Sequence, residues 1–323
     1  GIRDVERSRG LGDVYKETEL RIAVDHGNRN MKTCNKVFTT GIEENDLKPS
    51  RDTEYLTYQG KYYTLSSQRM PYQRDKTQDF RYFALTLIAI AKELELNSKI
   101  EPDDIVQVQL PIGLPVKHYA ELYERYEKYF KREGVLQFSY NGREYNICIT
   151  DVMAFPQNFA AMMTCGDEIK EIPKVVGVDI GGFTTNYIML RNGDMDMSVC
   201  DSLEDGVNTM YNAIISKMRA ERDILLEDTD INSIIEGKTK YYGASVVEAV
   251  KTQVENYVTD LLSTLRERGI DPKSTYMVFI GGGSILLKDY IVKSGKLSQY
   301  RFIEDIHANA KGYDLLYQCQ DED

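Results

Sequence analysis

The sequence has no apolar run approaching the length that spans a membrane, and no positively charged, apolar leader opens it. Both absences predict a cytoplasmic protein with no membrane contact. A basic surplus is missing as well: 40 Lys and Arg stand against 51 Asp and Glu, for a formal net charge of −11. Sequence-independent grip on nucleic acid needs clustered cations, so no direct nucleic-acid contact is expected, and the acidic excess favours solubility. Cysteine is scarce. Cys34, Cys148, Cys165, Cys200 and Cys319 are scattered and odd in number, without metal-ligand spacing. That set suits reduced thiols better than a disulfide framework or a structural zinc. No low-complexity linker divides the chain.

What remains is an ordinary globular composition, 42% hydrophobic and 28% charged over 323 residues, enough for one large or two medium domains. Gly1 to Thr18 is polar, charge-mixed and aperiodic, which reads as a flexible arm. Beyond it, strands and helices alternate, the pattern of an α/β protein. Leu20–Val24 is a short apolar strand, followed by an extended stretch around Met31–Phe38. Hairpins are predicted at Gln59-Gly60-Lys61 and, more strongly, at Asn141-Gly142. Phe80–Leu96 reads as a helix with Phe83, Leu87, Ile90, Ala91 and Leu94 on one face. Further helices are expected at Lys117–Arg132, Val207–Met218, Val246–Arg266 and Ile285–Ile291, and strands at Asp103–Leu110, Val175–Asp179, Thr184–Leu190 and Tyr276–Ile280.

One pattern occurs twice: an apolar strand, Asp, one residue, Gly, then polar residues. It stands at Ile22 to Asn28 and again at Val176 to Gly182, about half a chain apart. Two similar units facing each other would leave a cleft between them, a favoured place for a ligand. Strand-turn-strand loops gather backbone N–H groups into a nest that accepts phosphate oxygens, and glycine lets the phosphate come close. Asp25 and Asp179 would then bring carboxylates to one space from opposite sides, suited to holding hydrated Mg²⁺. Lys32, on the strand leaving the first loop, would set its ammonium against a terminal phosphate. Gly281-Gly282-Gly283-Ser284 follows a buried strand and precedes a helix, so a base or ribose could lie flat on it. An Asp before a turn is often only a turn-former; the pairing of two in one pattern is what argues for chemistry. Gly237-Lys238-Thr239 looks like the end of a P-loop, but Asn232 holds the position where that motif needs glycine, so it is set aside. The 23 tyrosines read as half-buried packing, not as a nucleic-acid stacking platform.

Taken together, these motifs resemble those of the actin-like ATPase superfamily, and most of all the bacterial plasmid-segregation actins of the ParM/StbA type. Asp25 through Lys32 is similar to the family's first phosphate loop, with the lysine seven positions after the aspartate. Asp179-Ile180-Gly181-Gly182-Phe183-Thr184-Thr185 resembles its second phosphate loop, and Ile280 through Ser284 its adenosine loop. Asp104 through Pro111 resembles the strand before the connecting helix, and Asp201 to Gly206 sits where the family has a ribose-side turn. Two departures stand out. Gln157, after Phe155-Pro156, replaces the glutamate of the best-known plasmid actins, and an amide orients water but hardly accepts its proton. Asn186 stands where that branch has an aspartate, seven positions after Asp179.

The resemblance implies an actin-like, duplicated ribonuclease H-like fold, with two lobes around a nucleotide cleft. It implies an arm over 1–18, a first lobe over 19–174 with a small insertion about 38–79, and a second lobe over 175–305 with a helical insertion about 205–272. Residues 306–323 would return as a helix to the first lobe. Asp179 and Gln157 are implied to be catalytic, and Gly27, Asn28, Asn30, Lys32, Gly181, Gly182, Phe183 and Thr184 to bind phosphate. Glu204, Gly206, Gly281, Gly282, Gly283 and Ser284 would bind adenosine and ribose, and Asp25 and Asp179 would hold Mg²⁺ through water. The implied activity is hydrolysis of ATP, with GTP as the competing nucleotide, controlling assembly of filaments of this chain. Its implied cargo is plasmid DNA, moved through a DNA-binding adaptor at a centromere-like site. The alternative is a small-molecule kinase or another ATPase of the same fold.

Overall fold

In the computed structural model, residues 18–50 and 52–321 are described. The arm expected over 1–18 lies, apart from Thr18, outside the described residues. Among these residues the chain builds a seven-stranded sheet from its first half, a six-stranded sheet from its second half, and a three-stranded ribbon. Most of the helices cover the two large sheets.

In the first sheet, Thr18–Arg21, Ile105–Leu114 and Arg143–Pro156 run parallel, and Leu136–Tyr140, Tyr55–Tyr58, Lys61–Leu65 and Ile42–Asn45 extend it antiparallel. Alternation selects the faces: Val106, Val108, Leu110 and Ile112 are all buried, at every second position. Both expected hairpins form. Their central residues have positive φ, 49° and 78° at Gln59 and Gly60, 51° and 82° at Asn141 and Gly142. Those angles give a turn whose twist matches that of the strands it joins. The strand predicted at Asp103–Leu110 runs on to Leu114, because the irregularity between Ile149 and Asp151 lets Arg143–Pro156 keep pairing through Pro156. The Arg81–Leu94 helix is not amphipathic in place. Tyr82, Ala84, Leu85, Ile88 and Ala89 are buried along with the predicted face, because the helix is enclosed all round from Tyr82 to Ala91, and only Arg81, Lys92 and Glu93 at its ends reach solvent.

The second sheet is ordered Asp194–Met195, Thr185–Arg191, Lys174–Ile180, Tyr276–Ile280, Gln299–Phe302, with Asp201–Leu203 pairing Thr185–Tyr187. Its inner strands are Val-, Ile- and Met-rich and buried on both faces. The helices Val207–Arg222, Asp228–Ile235, Ala244–Glu267 and Gly281–Lys293 share one apolar core with it. Asp228–Ile235 was not foreseen. It begins with a capping box in which Asp230 accepts the Glu227 amide at 2.8 Å and the Glu227 side chain caps the helix in return. A helix was expected only from Ile285, whereas it starts at Gly281: the glycines form its first turn rather than a loop before it. The last helix, Ala308–Asp321, packs on the short Phe159–Met163 helix and on Ile105–Leu114.

Candidate functional site

The first loop is positioned by the Ile105–Leu114 strand of the first sheet. Ile22 and Val24 donate to the carbonyls of Gln109 and Pro111, both at 2.9 Å, so Asp25 emerges at the end of the parallel ladder. From there the chain folds back. Asp25 pairs with Lys32 and His26 with Met31, which explains the seven-residue spacing: antiparallel register brings the lysine back beside the aspartate. The Lys32 ammonium lies 3.2 Å from the Asp25 carboxylate. Burial alone would lower the Lys32 pKa, but the charges of Asp25 and Asp179 outweigh it and hold the ammonium above its usual value. The extended stretch expected over Met31–Phe38 is broken at 33–36. Thr33 and Lys36 exchange hydrogen bonds in a tight turn, and Glu93 accepts from Thr33 and Asn35. His26 turns into the core, stacking on Phe130 at 4.6 Å with Nε2 2.8 Å from the Thr86 hydroxyl. Burial, reinforced by Lys76, lowers its pKa well below 6.5, so the ring is neutral. The loop is braced beneath by the Thr40 hydroxyl, which donates to the Gly27 carbonyl at 2.6 Å, and by Lys76, whose ammonium donates to the His26 carbonyl.

The second loop repeats the geometry on the other sheet. Asp179 pairs with Asn186 and Ile180 with Thr185, leaving Gly181–Thr184 as the turn, closed by Gly181 N–H to Thr184 carbonyl at 2.9 Å. Here the brace is a helix terminus: the amides of Val207 and Asn208 donate to the carbonyls of Gly181 and Gly182 at 3.1 and 2.9 Å. A Cβ on Gly206 would come within 2.5 Å of the Gly182 carbonyl oxygen, so that approach requires glycine. Gly281 is required by its φ of +88° and by Asp179, whose Oδ1 would lie 2.3 Å from an added Cβ. The other oxygen of Asp179 accepts from Asn309 at 3.1 Å. Burial raises the Asp179 pKa against the opposing pull of Lys32 and of this hydrogen bond.

Both loops face one cavity of about 360 Å³, within the usual range for a ligand site. Asp25, Asp179, Gln157 and Lys32 line it, as do Gly27, Asn28, Asn30, Gly181, Gly182, Phe183, Thr184 and Gly281 through Gly283. Gln157 donates through Nε2 to Asp25 at 3.1 Å, so its amide is tied to the first aspartate, not the second. Three expected residues are not on this wall. Glu204 lines two neighbouring cavities, and Gly206 lies beneath the second loop. Ser284 is fully buried, with its hydroxyl donating to the Ile280 carbonyl at 2.5 Å, because it belongs to the helix's first turn. Residues on the wall that were missed include Arg29, Lys76, Tyr211, Asn232, Glu236, Ile285 and Asn309. Lys76 and Asn309 carry no local signature, while the capping box before Asn232 could have announced the helix that brings it.

The wall also holds unused polar capacity. The buried Oδ1 atoms of Asn28 and Asn186 have no hydrogen-bond partner in the protein, as expected where a polar ligand or hydrated cation completes a site. Among the described residues no three His, Cys, Asp or Glu side chains form a direct metal cage. Two facing carboxylates, an amide and loop N–H groups instead suit a hard cation held through water beside anionic oxygens. No helix among the described residues is long and apolar enough to cross a membrane.

Sequence and fold comparisons bear on the fold as a whole. A family model described as the N-terminal domain of actin-like proteins matches residues 23–159, and one described as the C-terminal part of archaeal MreB-like actin homologues matches 177–293. No curated protein matches the sequence. An archaeal actin homologue, Ta0583, superposes with a TM-score of 0.75 at 17% identity, covering 93% of this chain and 99% of its own; that protein is also known in complex with ADP. A ParM subunit from a 15-stranded Clostridium botulinum filament gives 0.72 at 16% identity, covering 94% and 99%. Bacillus thuringiensis ParM with ATP gives 0.65 at 13%, again covering 94% and 99%. With actin-like models matching both halves and an actin fold throughout, the chain belongs to the actin-like superfamily.

Proposed function

We propose that this protein is a filament-forming ATPase that binds Mg-ATP between its two aspartate-led loops and couples hydrolysis to assembly and disassembly. The observation that carries the reading is the convergence of Asp25, Lys32 and Asp179 with both glycine loops on one cavity. Loop amides of Gly27–Asn30 and Gly181–Thr184 would cradle the phosphates, with Lys32 adding a positive charge. Magnesium, when bound, supplies neutralisation of phosphate charge, and Asp25 and Asp179 are the side chains that would hold its water. Phosphoryl transfer to water depends on positioning and charge stabilisation more than on covalent chemistry. Asp179 and Gln157 would orient the attacking water, Asp179 with the raised pKa of a group able to accept a proton. Gly281–Gly283 would support the adenosine. Asn232, Glu236, Tyr211 and Ile285, farther along the wall, would meet the base and choose between ATP and GTP.

Self-association is supported by the fold's likeness, over nearly the whole chain, to a subunit of a ParM filament. Plasmid DNA is the proposed cargo. At a net charge of −11 the chain would reach it through a DNA-binding adaptor at a centromere-like site, in the cytoplasm. A kinase reading has one observation behind it. A second cavity of about 380 Å³ shares Phe183, Thr184 and Tyr211 with the cleft, and an acceptor could sit there. One of its two carboxylates, Asp228, is tied to Arg69 at 3.2 Å, which weakens it as a base. Pelleting and light scattering with ATP, ADP or no nucleotide, with phosphate release followed in parallel, decide between them. Polymer that forms with ATP and decays as phosphate appears is the expected outcome. Solubility independent of nucleotide would remove the filament, and an acceptor screen would follow.

A further inference from the structure

Lys32 and Lys76 both line the cleft, but only Lys32 has a carboxylate partner. Lys76 is 6% exposed, and its side chain runs from the Lys76–Gln78 turn under the first loop. Its ammonium donates to the His26 carbonyl and lies 5.5 Å from the centre of the Tyr82 ring. An ammonium has three N–H donors, and a single acceptor leaves this one under-used. Burial pushes it down to about 8, with the charge of Asp25 opposing and that of Lys32 adding to the shift. Retaining a buried cation without a counter-ion costs stability. The cost makes sense where the counter-ion arrives with a ligand, and the open side of this ammonium is the cleft itself.

We propose that Lys76 is a polyphosphate-binding residue, the counter-charge on the first-loop side of the cleft that makes the site favour nucleoside di- and triphosphates over the bare nucleoside. Lys32 cannot fill that role alone, since Asp25 already cancels much of its charge at 3.2 Å. This inference rests on the nucleotide reading of the cleft, deepening it by assigning the group that selects for phosphate.

Titration calorimetry with adenosine, ADP and ATP in the presence of Mg²⁺, on the wild type, Lys76→Met and Lys76→Arg, tests it alongside thermal melts of the unliganded proteins. In Lys76→Met, ADP and ATP should bind at least about tenfold more weakly, the scale of one lost charge-assisted hydrogen bond. Adenosine should bind unchanged. Unliganded Lys76→Met should melt close to wild type, because removal of a desolvated charge offsets the lost bond to the His26 carbonyl, and Lys76→Arg should regain part of the phosphate affinity. Equal binding of ADP and ATP by wild type and Lys76→Met overturns the proposal while leaving the cleft a nucleotide site. A Met variant that melts far below wild type and loses adenosine in step overturns it too, since bracing the loop would then be all that Lys76 does. If the wild type binds none of the three ligands, the nucleotide reading itself fails and takes this inference with it.

Discussion

The loop that opens at Asp25 and the loop that opens at Asp179 share a sequence pattern and a strand-turn-strand form, but they surround their carboxylates differently. Asp25 has Lys32 at 3.2 Å and the Gln157 amide at 3.1 Å, so its charge is met by a cation and a donor. Asp179 has the Asn309 amide at 3.1 Å and feels Lys32 only through the field, and burial dominates its titration. The braces differ as well: side chains of Thr40 and Lys76 support the first loop, and the amides that open a helix support the second. A duplicated motif has thus been given two electrostatic roles. The first carboxylate is neutralised and suited to holding; the second is under-compensated and suited to meeting a proton or an ordered water.

The strongest way to break that contrast is to remove each charge in turn. Asp179→Asn should lower ATP turnover by about 10²- to 10³-fold with nucleotide affinity largely kept, the size of effect seen when a group acting mainly in the transition state is lost. Asp25→Asn should act chiefly on affinity for the magnesium nucleotide. Phosphate release and calorimetry on the two variants decide it. Matching losses in both would mean that the loops divide no labour.

A smaller effect is expected at the cation between them. Lys32→Met leaves Asp25 buried with only an amide for company, and breaking a buried pair typically costs 3–5 kcal/mol. The Lys32 side chain is 19% exposed, and water there softens the loss, to about 1–3 kcal/mol. Urea unfolding of Lys32→Met, Asp25→Asn and the double variant should show a coupling energy larger than the same cycle run with Asp179→Asn. Equal couplings would place Lys32 midway between the carboxylates and make the pairing with Asp25 incidental.

How far this contrast could be foreseen depends on the range of the interactions. The Asp-x-Gly repeat, the return of Lys32 after seven residues and the Asn141-Gly142 hairpin are local, because turn geometry and register act over a few residues. Both loops, and most of the cleft wall, were therefore legible before any coordinates. Asn309 was not: its partner Asp179 lies 130 residues earlier, and a lone Asn in a helix looks like surface. Lys76 sits in the polar run Gln73–Gln78, which reads as solvated although it folds beneath the first loop. Ser284 shows the opposite error. A serine after three glycines looks exposed to a ligand, yet helix geometry turns its hydroxyl back onto the Ile280 carbonyl. The unbroken burial of Tyr82 through Ala91 also escaped periodicity, because residues outside the apolar stripe, such as Ala84 and Ala89, are small enough to be enclosed as well.

The smallest effect sharpens the comparison through acidity. Burial raises the folded-state pKa of Asp179 above its unfolded value. In the window between those two values the folded protein binds more protons than the unfolded chain, so this group makes stability fall as pH rises. Below the ordinary carboxylate pKa both states are protonated and the contribution vanishes; above the folded pKa it is constant and unfavourable, at about 1.4 kcal/mol for each unit of the shift. Asp179→Asn removes it while keeping an oxygen to accept from Asn309. The unliganded variant should therefore match wild type in acid and become the more stable of the two as pH climbs to neutrality. Thermal melts of both proteins from pH 4 upward would show the gap opening. A gap of constant size, or a variant less stable at neutral pH, would mean that Asp179 is as well compensated as Asp25 and that the two loops are electrostatic equals.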